Sequence, residues 1–168
     1  HSVALALMEE NLMSTKVETI IQIKCPDWQT ELPNVEALCR AAADAAWQAV
    51  FEGEGSFEAT IALADDEFVQ TLNRDYRQLD KPTNVLSFPG EEAPLLPGDT
   101  PNLGDIVIAY ETTKGEAPEN FSNHLSHLVV HGCLHVLGYD HEEEDAAVEM
   151  EGLESQILAT LGIDDPYA

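Results

Sequence analysis

HGCLHVLGYDH, residues 131–141, puts three of the chain's six histidines into one short stretch and fixes the local fold. His131 and His135 are four apart, so on a helix their rings leave one face, about 6 Å apart along the axis. Gly138 then ends the helix, because glycine takes the left-handed conformation that closes a helical C-terminus. Past that turn the chain can double back and bring His141 to the same point. Upstream, Asn120 stands as an N-cap for a helix running through Leu137. Downstream, Ala147, Met150, Leu153, Ile157 and Leu161 make one apolar stripe, which predicts a last helix.

Working further outward, residues 104–109 (GDIVIA) read as a strand apolar enough to be central, and residues 84–88 (NVLSF) as a shorter one. Between them Pro89, Pro94, Pro97 and Pro101 predict an exposed, mobile flap. Residues 17–23 (VETIIQI) are β-branched and roughly alternating, and Pro26 stops that strand. Asn34 is placed to cap a helix with Val35, Leu38, Ala42, Ala45, Ala46, Ala49 and Val50 at helical spacing up to Gly53. Phe57, Ala59, Ile61 and Leu63 then alternate along a strand, and Asp65 caps a helix bearing Phe68, Val69, Leu72 and Tyr76. The expected fold is α+β: a small mixed sheet of about four strands packed with helices, the histidine helix ending in a glycine turn. One domain is expected over residues 13–168, a length that supports a single core, and residues 1–12, ahead of Met13, read as an expression remnant.

Three neutral imidazoles with an open fourth position are a catalytic rather than a structural arrangement for zinc. They leave the ion's double charge intact, so a water bound to it can ionise near neutral pH and act as the nucleophile of a hydrolysis. One divalent ion, zinc by expectation, is therefore assigned to His131, His135 and His141. His127 continues the same helical stripe, but lies eight residues from His135, about 12 Å of rise, so those two cannot share an ion. His127 with His131 remains open. The pair with His135 is preferred because it leaves the third ligand beyond a helix-ending glycine, with His124 and His127 in structural or supporting roles. Cys25, Cys39 and Cys133 are odd in number and lack CxxC spacing, so reduced, buried thiols are expected.

A net charge of −25 argues against a polyanionic partner, since nucleic-acid binding depends on neutralising phosphates. Local placement can override that, because Arg74, Arg77 and Lys81 fall close together in a chain with only seven Lys and Arg residues. A guanidinium presents a planar fork matched to phosphate oxygens, which makes Arg77 the candidate catalytic group and Arg74 and Lys81 candidate substrate contacts. The plain alternative is that Arg77 pairs with Asp75 or Asp80. Thr83, Asn84 and Ser87 could orient a substrate or hold the turn before the strand. Asp140 could cap the last helix or hydrogen-bond a ligand imidazole. No run approaches the roughly 18 apolar residues of a membrane span, so a cytoplasmic protein without a membrane partner is expected.

The His, His, Gly, His spacing of residues 131–141 is that of the metzincin protease motif HExxHxxGxxH. Gly132, however, stands where those proteases carry the glutamate that moves the proton. The same stretch resembles the signature HGxLHLxGYDH of the YbeY family of single-strand-specific endoribonucleases, with Val136 for the usual leucine. Residues 72–89, LNRDYRQLDKPTNVLSFP, resemble that family's LNxxYRxxDxPTDVLSFP, with Asn84 for the commoner aspartate, and the GDI of residues 104–106 matches a third segment. The resemblance implies His131, His135 and His141 as metal ligands and Arg77 as the basic residue near the metal. It also implies a mixed sheet under the histidine helix, and action on ribosomal RNA in small-subunit 3′-end maturation and ribosome quality control. Ribosomal RNA and the small subunit are the implied partners, and no DNA is expected. The competing readings are a metalloprotease-like hydrolase and a non-catalytic ribosome-assembly factor with a structural metal.

Overall fold

Strand β2 (Gly55–Ala64) turns Ala59, Ile61 and Leu63 to one side and Ala62 and Ala64 to the other, and both sides are buried. Strand β4 (Asn102–Ala109) does the same with Ile106 and Ile108 against Val107 and Ala109. A strand covered on both faces needs no polar alternation, which is why IVIA runs apolar without a break. The computed structural model describes residues 15–53, 55–90, 100–140 and 143–167. Within them, β1 (Thr15–Ile23) pairs parallel with β2, β2 pairs parallel with β4, and β3 (Val85–Pro89) pairs antiparallel with β4. The strand order β1-β2-β4-β3 makes a mixed four-stranded sheet with β3 at one edge.

On the larger core's side lie α2 (Val35–Val50), α5 (Phe121–Val136) and α6 (Glu144–Thr160). Ala42, Ala43 and Ala46 of α2 are fully buried, and their small side chains let the helix lie close to its neighbours. Helix α3 (Asp66–Arg77) covers part of the opposite face through Val69 and Leu72. The α+β class and mixed sheet expected from the sequence are the ones found.

Two short helices were not legible in the residue pattern. In α1 (Asp27–Glu31) the fully buried Trp28 donates from Nε1 to Ala64 O at 2.9 Å and stacks on Phe121 at 5.4 Å, so tertiary contacts hold a segment too short to be helical alone. In α4 (Tyr110–Glu116) Thr112 donates its backbone N–H and its hydroxyl to Asp66, at 3.0 and 2.8 Å. The strands also start earlier than expected, at Thr15 and Asn102. Pro101 immediately precedes that extension, its carbonyl accepting from Glu58 N at 2.9 Å. Residues 91–99, most of the expected flap, lie outside the described residues, as do residues 1–14.

Of Asn34, Asp65 and Asn120, only Asp65 caps its helix, accepting from Phe68 N at 2.9 Å. Its backbone is extended (φ −108°, ψ 173°), which aims the side chain back at the first turn. Asn34 (ψ 23°) and Asn120 (ψ 40°) leave the extended region, and neither side chain makes a capping bond. All three cysteines are free and buried. Among the described residues no helix is long and apolar enough to cross a membrane.

Candidate functional site

Helix α5 crosses the sheet with its C-terminal half over β3 and β4, and Gly132 is the point of contact. A β carbon there would meet Ile106 Cγ2 at 2.7 Å and Cγ1 at 3.2 Å, so only glycine allows this approach. Ser87 of β3 donates its hydroxyl to Gly132 O at 3.2 Å. Position 132 thus faces the sheet. Four residues apart, His131 and His135 bring their Nε2 atoms to 3.0 Å from each other, near enough for one ion to lie about 2.0–2.1 Å from both.

The helix closes as expected. Gly138 adopts φ +100°, its N–H bonding to His135 O and that of Tyr139 to Leu134 O, both at 3.0 Å, which is a Schellman turn. The reversal carries Gly138, Tyr139 and Asp140 onto the wall of the cleft beside the two histidines. The N-cap position of the last helix is Glu143, three residues past Asp140. His141 lies outside the described residues. Within them no set of three His, Cys, Asp or Glu side chains is placed to hold an ion.

The other two described histidines, His124 and His127, each face a glutamate. His124 Nε2 pairs with Glu116 Oε1 at 2.8 Å, and His127 Nε2 lies 3.1 Å from Glu154 Oε2 and 3.2 Å from the Tyr167 hydroxyl. His131 turns its Nδ1 to Glu154 Oε1, and Tyr167 donates its hydroxyl to Oε2 of the same carboxylate. Glu154 is fully buried. Burial alone pushes its carboxyl up, but the hydrogen bonds from His127, His131 and Tyr167 outweigh that and hold it down at about 2. Burial and the bond to Glu154 push the Tyr167 phenol up. The Glu154 carboxylate accepts at Nδ1 of His131 and so turns the ring's Nε2 toward His135, 3.0 Å from that residue's Nε2.

Glu154 and Tyr167 are the residues sequence reasoning missed. A signal for the first was present: position 154 follows Met150 by four and precedes Ile157 by three, so a glutamate occupies the apolar stripe of α6. Glutamate is almost never fully buried unless paired. For Tyr167 no signal existed, since the tail reaches Glu154 only through the turn after α6. There Gly162 (φ +76°) reverses the chain, and Asp165 bonds Ser155 Oγ at 2.7 Å and Tyr167 N at 2.9 Å.

Arg77 enters the cleft from the other face of the sheet. It is the last residue of α3, donates from Nη2 to Ser87 O at 2.9 Å, and holds its guanidinium carbon 5.5 Å from the centre of the Phe88 ring. Neither acid named as its alternative partner is used that way. Asp75 pairs with Arg74 at 3.2 Å, and Asp80 accepts from Gln70 at 3.0 Å. The turn after α3 is fixed by the buried Asn73, which donates to Lys81 O at 2.9 Å, and by Gln78 in the left-handed region at φ 57°. Arg77, Thr83, Asn84, Ser87, His131 and His135 all line one cleft of about 530 Å³. Arg74 and Lys81 are exposed and lie outside its lining. Asn84 holds its turn, accepting from Val85 N at 2.7 Å and donating to Glu116 at 3.1 Å.

The family model for Endoribonuclease YbeY matches residues 21–162. The chain belongs to the YbeY family. It is 49% identical over 161 residues to the Endoribonuclease YbeY of Paramagnetospirillum magneticum, covering 92% of this chain and 98% of that one. It is 52% identical over 157 residues to the Endoribonuclease YbeY of Bradyrhizobium diazoefficiens, covering 90% and 84%. A solution structure of a Thermotoga maritima protein overlays with a TM-score of 0.48 at 21% identity, covering 87% of this chain and 91% of that one. The YbeY match spans the Arg77 segment, the cleft strands, the histidine helix and Glu154 together.

Proposed function

We propose that this chain is a divalent-metal-dependent endoribonuclease of single-stranded RNA. In this reading His131, His135 and His141 hold one ion, expected to be zinc, and Arg77 holds the phosphate. The observation that supports it is the meeting of Arg77 with the His131 and His135 ring nitrogens in one cleft, although the sequence separates them widely. Membership in a family of endoribonucleases supports the reaction class.

An ion held by these histidines would supply positive charge that favours ionised water at neutral pH. The rest falls to the chain's own residues. His131 and His135 present their Nε2 atoms from a helix pinned to the sheet at Gly132, so their spacing is preset. Arg77 offers its remaining N–H groups to non-bridging phosphate oxygens, where charge accumulates as water adds and a P–O bond breaks. Its bond to Ser87 O and its position over Phe88 hold the fork before substrate arrives, which lowers the ordering cost of binding.

Ribosomal RNA at the small-subunit 3′ end, in maturation and quality control in the cytoplasm, is the proposed setting. A net charge of −25 supports a docked partner, the small subunit, because free RNA meets little positive surface. The test is cleavage of a defined single-stranded RNA and its duplex by purified protein, with metal content measured in the same samples. Cleavage should track bound metal, favour the single strand and vanish in His131→Ala. Undiminished cleavage by metal-stripped protein would overturn the proposal, and casein cleavage in its place would support the protease reading.

A further inference from the structure

Glu154 is the one fully buried acid among the described residues, and the reaction proposed above gives it no task. Its two oxygens are divided. Oε1 faces His131 Nδ1, while Oε2 faces His127 Nε2 at 3.1 Å and accepts from the Tyr167 hydroxyl. The two histidines, one helical turn apart, therefore give opposite ring nitrogens to one carboxylate. That division decides what each can do: His127 spends its Nε2 on Glu154, while His131 spends Nδ1 and keeps Nε2, 3.0 Å from His135 Nε2. A neutral imidazole carries one N–H, so an acceptor at Nδ1 fixes the lone pair at Nε2. We infer that Glu154, clamped by Tyr167 and His127, is a positioning residue that locks His131 as its Nδ1–H tautomer and aims the Nε2 lone pair at the point shared with His135.

The clamp is carried by the tail that follows α6. Gly162 reverses the chain, Ile163 N bonds Leu158 O at 3.0 Å, and Asp165 ties the backbone of Tyr167 to Ser155. The carboxylate so held is walled by Tyr167 from outside and by α5 and α6 from within. Residues 163–167 are by this reasoning part of the site, although none lines the cleft.

The inference rests on the metal reading for its purpose but not for its test. Two-bond nitrogen–proton correlation spectra of the histidine rings in metal-free, folded protein should show His131 as Nδ1–H and His127 as Nε2–H. His131 found as Nε2–H would overturn the inference whatever binds. Zinc affinity, measured by competition with a chromophoric chelator, should fall about tenfold to hundredfold in Glu154→Gln and by a smaller factor in Tyr167→Phe. Equal affinity in a folded Glu154→Gln would also overturn it. If Glu154→Gln does not fold, the ring spectra of the parent and of Tyr167→Phe decide, because loss of one clamping donor should loosen His131 into a tautomer mixture. If the parent takes up no zinc while His131 is still Nδ1–H, the metal reading fails and the positioning role of Glu154 stands.

Discussion

Gly132 and Ile106 are in such close contact that a β carbon on the first would lie 2.7 Å from Cγ2 of the second. This contact explains why the position that bears a glutamate in metzincin proteases bears none here. Ile106 is fully buried in β4, an interior strand of the sheet. Gly132→Glu should therefore destabilise the fold by about 1–3 kcal/mol, as overpacking does, and should confer no peptidase activity. Denaturant unfolding and a casein assay check both. A stable Gly132→Glu protein that cleaves casein would show that the helix can lift from the sheet and that the protease reading is within reach of one substitution.

Ion retention separates the histidines. His131→Ala and His135→Ala should each lose the ion, because each removes one of the two converging nitrogens. His141→Ala should do the same, as the third ligand of the proposed set. His124→Ala should keep it, since that ring is committed to Glu116. Elemental analysis of the four purified proteins measures the outcome, and full occupancy in His141→Ala would refute the ligand set.

Much of this was legible beforehand, for local reasons. Helix and strand periods placed the long elements, and the four-residue step from His131 to His135 placed those two rings on one face. What escaped depended on long-range packing. Helix α1 exists because Trp28 reaches Ala64 and Phe121, and no property of DWQTE announces that. Asn34 and Asn120 have the right chemistry for caps but the wrong backbone angles, which only the folded chain sets. Within the site, Arg77 could be named from its chemistry. That Arg74 and Lys81 would fall outside the cleft, and that a glutamate would stand behind His131, required the turn after α3 and the tail after α6.

The thiols give a test of burial. Cys25, Cys39 and Cys133 are free and buried, and burial is the main cause raising all three, Cys39 to about 12. Since the thiolate is the reactive form, the folded protein at neutral pH should react slowly with a disulfide reagent. In denaturant all three should react at once. The sign follows from a raised value: reactivity in the folded state should increase as the pH is taken up, until unfolding intervenes. A rapid burst of two or more thiols from native protein would contradict the packing of α2 against α5, where Cys39 and Cys133 lie.

Arg77 gives the sharpest test of chemistry against structure. Its guanidinium touches Ser87 O and the Phe88 ring, while the acids that could have made it a structural ion pair are engaged by Arg74 and Gln70. Its removal should leave the fold and the metal content intact, because the side chain gives the fold only one exposed hydrogen bond and cover for a ring face. The loss should appear in turnover instead. Removing one preorganised donor to a developing oxyanion typically costs about 10² to 10³ in rate, or roughly 2.7 to 4 kcal/mol, and Arg77→Ala should fall in that range under saturating RNA. Arg77→Lys keeps the charge without the planar fork, and should recover only part of the rate. Single-turnover cleavage with metal content measured in parallel distinguishes the outcomes. A folded, metal-loaded Arg77→Ala that cleaves at the parental rate would remove Arg77 from the mechanism. One that loses its metal or unfolds would make the residue a support for the β3 edge, acting through Ser87 and the contact of that strand with Gly132.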